Sequence, residues 1–217
     1  VMSQCFVKEN TKMSNNLDTK SSCVAWFKLA ELVTRKEKEK ALNLYRLLSH
    51  SFEDRAYALQ LEGDILWALE DDQALEKYEQ DAYLYKKEKQ LVSACAIYEH
   101  LLTLQPKNYD FLSRLISLYA LLHWREKFES KFEALLLFGE QGIFSQDHIF
   151  TVSKKIIDLA SEKQNNQDTV FFESEDDCKK FIWVLKSLSN MLKKKKSNNL
   201  LKRINDYCSE QNLNFDS

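Results

Sequence analysis

Apolar positions recur at spacings of three and four along most of the chain, the period of an amphipathic helix. The clearest stretch is LEKYEQDAYLYKKEKQLVSACAIYEHLLTLQP, from Leu75 to Pro106. It predicts two antiparallel helices joined by a polar turn at Glu88–Gln90. Ala94, Tyr98 and Leu101 share one face of the second helix, and Pro106 closes it. Upstream, a helix beginning near Ser22 carries Val24, Phe27, Leu29, Leu32 and Val33. The segment Thr34–Glu39 turns the chain into a helix with Ala41, Leu44, Tyr45 and Leu48. Ser51 or Asp54 caps the next, which holds Ala58, Leu61, Ile65, Leu66 and Leu69. Glu70–Asp72 separates it from a helix running from Gln73 to about Lys87, with Ala74, Tyr78, Ala82 and Tyr85.

Beyond Pro106, Asn108 is the expected cap of a helix carrying Leu112, Leu115, Ile116, Tyr119 and Leu122. A tight turn near His123–Arg125 leads to Phe128, Phe132, Leu135 and Leu136, and Gly139 and Gly142 bracket a helix stop. Ser145 opens a helix with Ile149, Val152, Ile156 and Leu159. Residues 163–173, KQNNQDTVFFE, break the pattern and read as a loop. Ser174 followed by Asp177 resembles a capping box for an amphipathic helix from about Glu175 to Lys195. Asn198–Asn199 then separates a short last helix with Leu201, Ile204 and Tyr207. The expected organisation is a flexible N-terminal arm at 1–20, a helical repeat domain at 21–162, the loop at 163–173, and basic amphipathic helices at 174–217 packing as a cap.

The second helices repeat a signature. Ala41 and Ala74 lie 33 residues apart, and Ala94 and Phe128 lie 34 apart. Four positions after each comes an aromatic: Tyr45, Tyr78, Tyr98 and Phe132. Three further on comes Leu48, Leu101 or Leu135, with Asp81 as the exception. A small residue lets two helices approach, and the aromatic fills the gap between successive pairs. One pair cannot bury its apolar face alone, so pairs stack. Over residues 22–138 this period and pattern resemble the tetratricopeptide repeat, a helix–turn–helix unit of about 34 residues. The chain departs from that pattern in three ways. Ala74 to Ala94 is only 20 residues, so the helix at 73–87 serves two units; Gly63 sits one position from its expected place; and Pro106 alone ends a unit with proline.

The resemblance implies an all-α fold: a right-handed superhelix of antiparallel helix pairs, an α-solenoid, with a C-terminal capping segment. Its concave face holds a peptide or helix of a partner protein. By register, Trp26, Ala30, Leu59, Gly63, Trp67, Ser113 and Ser117 line that face. Positions that clamp a partner's terminal carboxylate in similar proteins read Trp26, Ala30, Gln60, Gly63 and Arg114 here. Only Arg114 fits, so no such clamp is expected. Trp26 and Trp67 read equally as core aromatics, because large rings are usually well buried.

Composition narrows the field. With 44% hydrophobic and 12% aromatic residues the chain can bury a core, and 3 Gly with 1 Pro favour long helices with brief connections. A net charge of -2 argues against overall attraction to nucleic acid. The 5 Cys are odd in number and widely spaced, which suggests reduced, structural thiols in a cytoplasmic setting. VMSQCFVKENTKMSNN lacks the apolar core of a secretory signal, and no apolar run reaches the roughly 18 residues of a membrane span. Export by a signal-independent route stays open. The exception to the mild charge is the C-terminal segment, where Lys193, Lys194, Lys195, Lys196, Lys202 and Arg203 sit beside a stripe of Phe181, Ile182, Leu185, Leu188 and Leu192. Such a helix binds an anionic membrane or nucleic acid, or caps the last repeat and solvates its lysines.

Catalytic signatures are missing. Gly63, Gly139 and Gly142 form no phosphate loop, no G-x-S-x-G elbow exists, and His50, His100, His123 and His148 have no metal-ligand spacing. The expectation is a non-enzymatic protein–protein interaction module (an adaptor, scaffold or chaperone) with no cofactor, metal or small-molecule substrate. The alternative is anionic membrane or nucleic-acid binding through the C-terminal lysines.

Overall fold

The computed structural model describes residues 19–160, 182–195 and 197–210. Among them are ten α-helices and no strand: α1 Thr19–Thr34, α2 Lys38–Ser49, α3 Arg55–Ala68, α4 Gln73–Lys87, α5 Leu91–Leu104, α6 Tyr109–Leu121, α7 Arg125–Glu140, α8 Gln146–Ala160, α9 Ile182–Lys194 and α10 Asn198–Glu210. The expected arm, the loop at 163–173 and the Ser174–Asp177 cap fall wholly or almost wholly outside the described residues. The chain divides into two compact units, residues 1–97 and 98–217, and the division falls inside α5.

In the first unit α1 packs on α2, α2 on α3, and α3 most extensively on α4. The repeated small residues are where helices meet. Ala41, Ala74 and Ala82 are fully buried, and Tyr45 and Tyr78 are nearly so. Gly63 explains the closeness of α3 and α4. A Cβ there would lie 2.8 Å from Tyr78 Cε1 and 2.9 Å from Cδ1, inside van der Waals contact. The ring of Tyr78 therefore lies directly on the α3 backbone, and its hydroxyl donates to Asp64 Oδ1 at 2.6 Å. Asp54 is the cap of α3, as its Oδ1 accepts from Ala56 N–H at 2.9 Å and Tyr57 N–H at 3.1 Å. One expectation changes in α1. Leu29, Leu32 and Val33 are buried, but Val24 and Phe27, which the periodicity places on the same stripe, are 68% and 70% exposed.

The turns after α1, α3, α4 and α6 share one construction. Lys36, Glu70, Lys89 and His123 adopt φ of 57°, 60°, 59° and 55°, the left-handed region that glycine normally fills at a helix C-terminus. Around each, two backbone bonds close the helix end. Glu37 N–H donates to the Leu32 carbonyl and Lys36 N–H to that of Val33, both at 2.9 Å. The same pair recurs as Asp71 to Leu66 with Glu70 to Trp67, Gln90 to Tyr85 with Lys89 to Lys86, and Trp124 to Tyr119 with His123 to Ala120. This is the Schellman motif. Lys36 and Glu70 lie 34 residues apart, as do Lys89 and His123. The first two also touch, with Lys36 Nζ donating to Glu70 Oε1 at 2.5 Å.

In the second unit α6 packs on α7 and α8, α8 also on α7, α9 and α10, and α9 on α7 and α10. Asn108 caps α6, accepting from Phe111 N–H at 3.1 Å. The core centres on Phe128 and Phe132, stacked at 5.9 Å, with Trp183 edge-on to Phe128 at 5.5 Å. One boundary is as expected and one differs. Helix α7 runs through Gly139 to Glu140, so its end falls between Gly139 and Gly142, and Gly142 turns the chain at φ 71°. Gly139 also leaves room for Ile149 Cδ1, which would lie 2.5 Å from a Cβ. Asn198 and Asn199 do not separate helices but begin α10, because asparagine is well tolerated in a first turn.

Two substitutions test this packing by chemical denaturation. Gly63→Ala should lower stability by about 1–3 kcal/mol, since overpacking against Tyr78 outweighs the roughly 1 kcal/mol gained in helix propensity. A gain would show that Tyr78 does not rest on the α3 backbone. Lys89→Gly should raise stability by about 0.5–1 kcal/mol, the relief of left-handed strain less the entropy of a glycine.

Candidate partner-binding site

Six of the expected groove residues lie in the first unit: Trp26 and Ala30 on α1, and Leu59, Gln60, Gly63 and Trp67 on α3. Arg114 and Ser117 lie on α6 in the second. Each set therefore belongs to its own unit.

On the first unit, Trp67 is one of the exposed large aromatics, with Phe27 and Tyr83. It sits in the last turn of α3 with 46% of its surface open. Helical geometry puts Gln60 and Asp64 on its face, at spacings of seven and three. Gln60 and Leu59 are half-buried. Trp26 is also half-buried, stacked on Phe52 with centroids 5.8 Å apart, and Phe52 meets Tyr57 edge-on at 5.7 Å. Trp26 thus belongs to an aromatic ladder linking α1 to the start of α3, with only part of its ring available. Ala30 is half-buried, and its carbonyl accepts from Thr34 Oγ1 at 2.8 Å. Gly63 is not on an open surface. It is buried beneath Tyr78, so its role is helix approach. Beside this face Glu62 and Lys77 form a half-buried ion pair at 3.2 Å.

On the second unit, Arg114 is exposed and its Nη1 donates to the Tyr98 hydroxyl at 3.3 Å. Ser117 Oγ donates to the Ser113 carbonyl at 2.9 Å, so its hydroxyl serves its own helix. Glu99 is the most heavily engaged carboxylate nearby. Burial works against its charge, but the Tyr119 hydroxyl and Lys127 Nζ, at 2.9 Å, both donate to it and hold it below the ordinary carboxylate range. Lys127 also lies 4.7 Å over the Trp124 ring.

The basic segment is largely engaged. Lys194 pairs with Glu133 at 3.7 Å, Lys195 with Glu140 at 3.1 Å, and Arg203 with Asp147 at 2.9 Å while covering Phe150 at 4.3 Å. Lys193 and Lys202 are exposed, and Lys196 is outside the described residues. Trp183 Nε1 donates to His123 Nδ1 at 3.2 Å, Ser187 Oγ to Glu129 at 2.6 Å, and the Tyr207 hydroxyl to Asp158. The lysines thus flank an interface by which α9 and α10 pack on α7 and α8.

Periodicity alone does not single out Val24, Phe27 or Tyr83 as surface residues, the last 61% exposed. An apolar residue on a helix carries the same signal whether a neighbour covers it or not. Among the described residues, no three His, Cys, Asp or Glu side chains come together as metal ligands, and no helix is long and apolar enough to cross a membrane. The thiols of Cys95 and Cys208 are buried, and burial pushes that of Cys208 up to about 11. No protein-family model, curated protein or solved structure matches the chain.

The contrast between packing and charge at the C-terminal interface can be measured by urea denaturation. Phe128→Ala, at a fully buried site, should cost about 3–5 kcal/mol. Changing Lys194, Lys195 and Arg203 together to Gln should cost less than about 2 kcal/mol and lose its effect in high salt, because exposed pairs contribute little.

Proposed function

We propose that the chain is a non-enzymatic binding scaffold, a tetratricopeptide-like superhelix that holds a peptide or helix of a partner protein against the first helices of its pairs. The observation that carries this reading is Trp67, a large aromatic left 46% exposed on α3. An exposed ring on a rigid helix loses little entropy on contact and serves as an anchor. Two features support it further. The turn geometry recurs at 34 residues, and Gln60 sits on the Trp67 face to offer hydrogen bonds to a partner backbone. The groove attaches to the first unit, with Trp26 contributing the open part of its ring. Adaptor and chaperone roles both follow from such a surface.

The test is affinity capture from cell extract with wild type, Trp67→Ala and a variant carrying Gln at Lys193, Lys194, Lys195 and Lys196, followed by titration with the purified partner. Trp67→Ala should reduce affinity at least tenfold, a loss of about 1.4 kcal/mol, while leaving the unfolding midpoint nearly unchanged. The lysine variant should bind as wild type, at both low and moderate salt. Capture lost only in the lysine variant, with affinity falling steeply in salt, would move the function to the C-terminal helices and defeat this reading.

A further inference from the structure

Asp81 breaks the repeat. It occupies the position filled by Leu48, Leu101 and Leu135 in the other second helices. It is nevertheless as buried as the last two, with no exposed surface. Neither carboxyl oxygen has a hydrogen-bond partner. The charges that act on it are both carboxylates near or on α3: Asp54, at the helix cap, and Asp64. On its own helix, Tyr85 lies one turn on. Its hydroxyl is pushed up to about 12, by burial first and then by Asp81. The nearest cation by register, Lys77, is paired with Glu62.

We infer that Asp81 is held as an uncharged carboxylic acid inside the α3–α4 pair, and that its ionisation loosens that pair, giving the fold a built-in response to pH. The physics is one-sided. An ionised carboxylate without hydrogen bonds is far costlier to bury than the neutral acid, and two neighbouring negative charges add to that cost. Burial, then Asp54 and Asp64, raise the group to about 8. In an unfolded chain an aspartate titrates near 3.9. Between those values the folded state holds a proton that the unfolded state has lost. Asp81 therefore leaves stability intact below about pH 4, erodes it as pH rises toward 8, and has no further effect above that. The alternative way to meet the charge is to open the seam between Tyr78 and Gly63 and admit water.

Two measurements on the full chain test it. The first follows the Asp81 carboxyl carbon by NMR from pH 3 to 10 in the folded wild type. The expected midpoint is well above the ordinary range, near 8; one near 4 overturns the inference. The second compares urea unfolding of wild type, Asp81→Asn and Asp81→Leu at pH 5, 6, 7 and 8. The wild-type unfolding constant should rise relative to that of Asp81→Asn by up to about tenfold per pH unit, and Asp81→Leu should be the most stable at pH 8. Parallel profiles for wild type and Asp81→Asn would also overturn it. Should neither variant fold, the carboxyl titration decides alone.

Discussion

How near two helix backbones can come governs this molecule. Where α3 meets α4, the ring of Tyr78 rests on Gly63 with no space for a methyl group. Ala41, Ala74 and Ala82 play a related part with a single carbon. Once the backbones are this close, the aromatic side chains have only the seam to fill, and each tyrosine must then find a partner for its hydroxyl. Tyr45 donates to the Ala58 carbonyl, Tyr78 to Asp64 and Tyr119 to Glu99. Polar atoms at the rim of each seam follow from the packing at its centre, because a buried hydroxyl without a partner is strongly destabilising.

The turns obey the same constraint. A short connection between close antiparallel helices has to reverse direction at once, and a left-handed residue followed by a 6→1 backbone bond does so. Four such residues carry full side chains where glycine would carry only hydrogen. Each stores roughly 1 kcal/mol of backbone strain, which the packing of the flanking helices offsets. In return the side chains are available to lace neighbouring turns, as Lys36 does with Glu70, beside the pair of Lys38 with Asp71.

Much of this is legible in the sequence. The small-then-aromatic spacing places Ala41, Ala74, Tyr45 and Tyr78 in the core, and Asp54 and Asn108 read correctly as caps because their chemistry is local. The left-handed turns do not show, since Lys, Glu, Lys and His at these sites conceal a conformation usually marked by glycine. Gly139 and Gly142 bracket the end of α7 as read, but spacing does not show that Gly139 also makes room for Ile149. Among the candidate site residues, Trp67 stands exposed and Gly63 does not. Sequence spacing puts both on one helix but cannot tell which side a neighbour covers. The lysine-rich segment reads either as an anion-binding patch or as a cap with solvated lysines, and its ion pairs do not show because the carboxylates, Glu133, Glu140 and Asp147, come from distant parts of the chain.

The buried thiols have a consequence of their own. Cys95 belongs to the first unit and Cys208 to the second, and a thiol shut away from solvent reacts only through the fraction of time its surroundings are open. Alkylation or peroxide oxidation at these two sulfurs would therefore proceed at the reagent's own rate scaled down by the fraction of molecules that are locally open. Each unit thus carries an internal gauge of its own opening. The same shielding protects it from oxidative damage for as long as its helices stay packed.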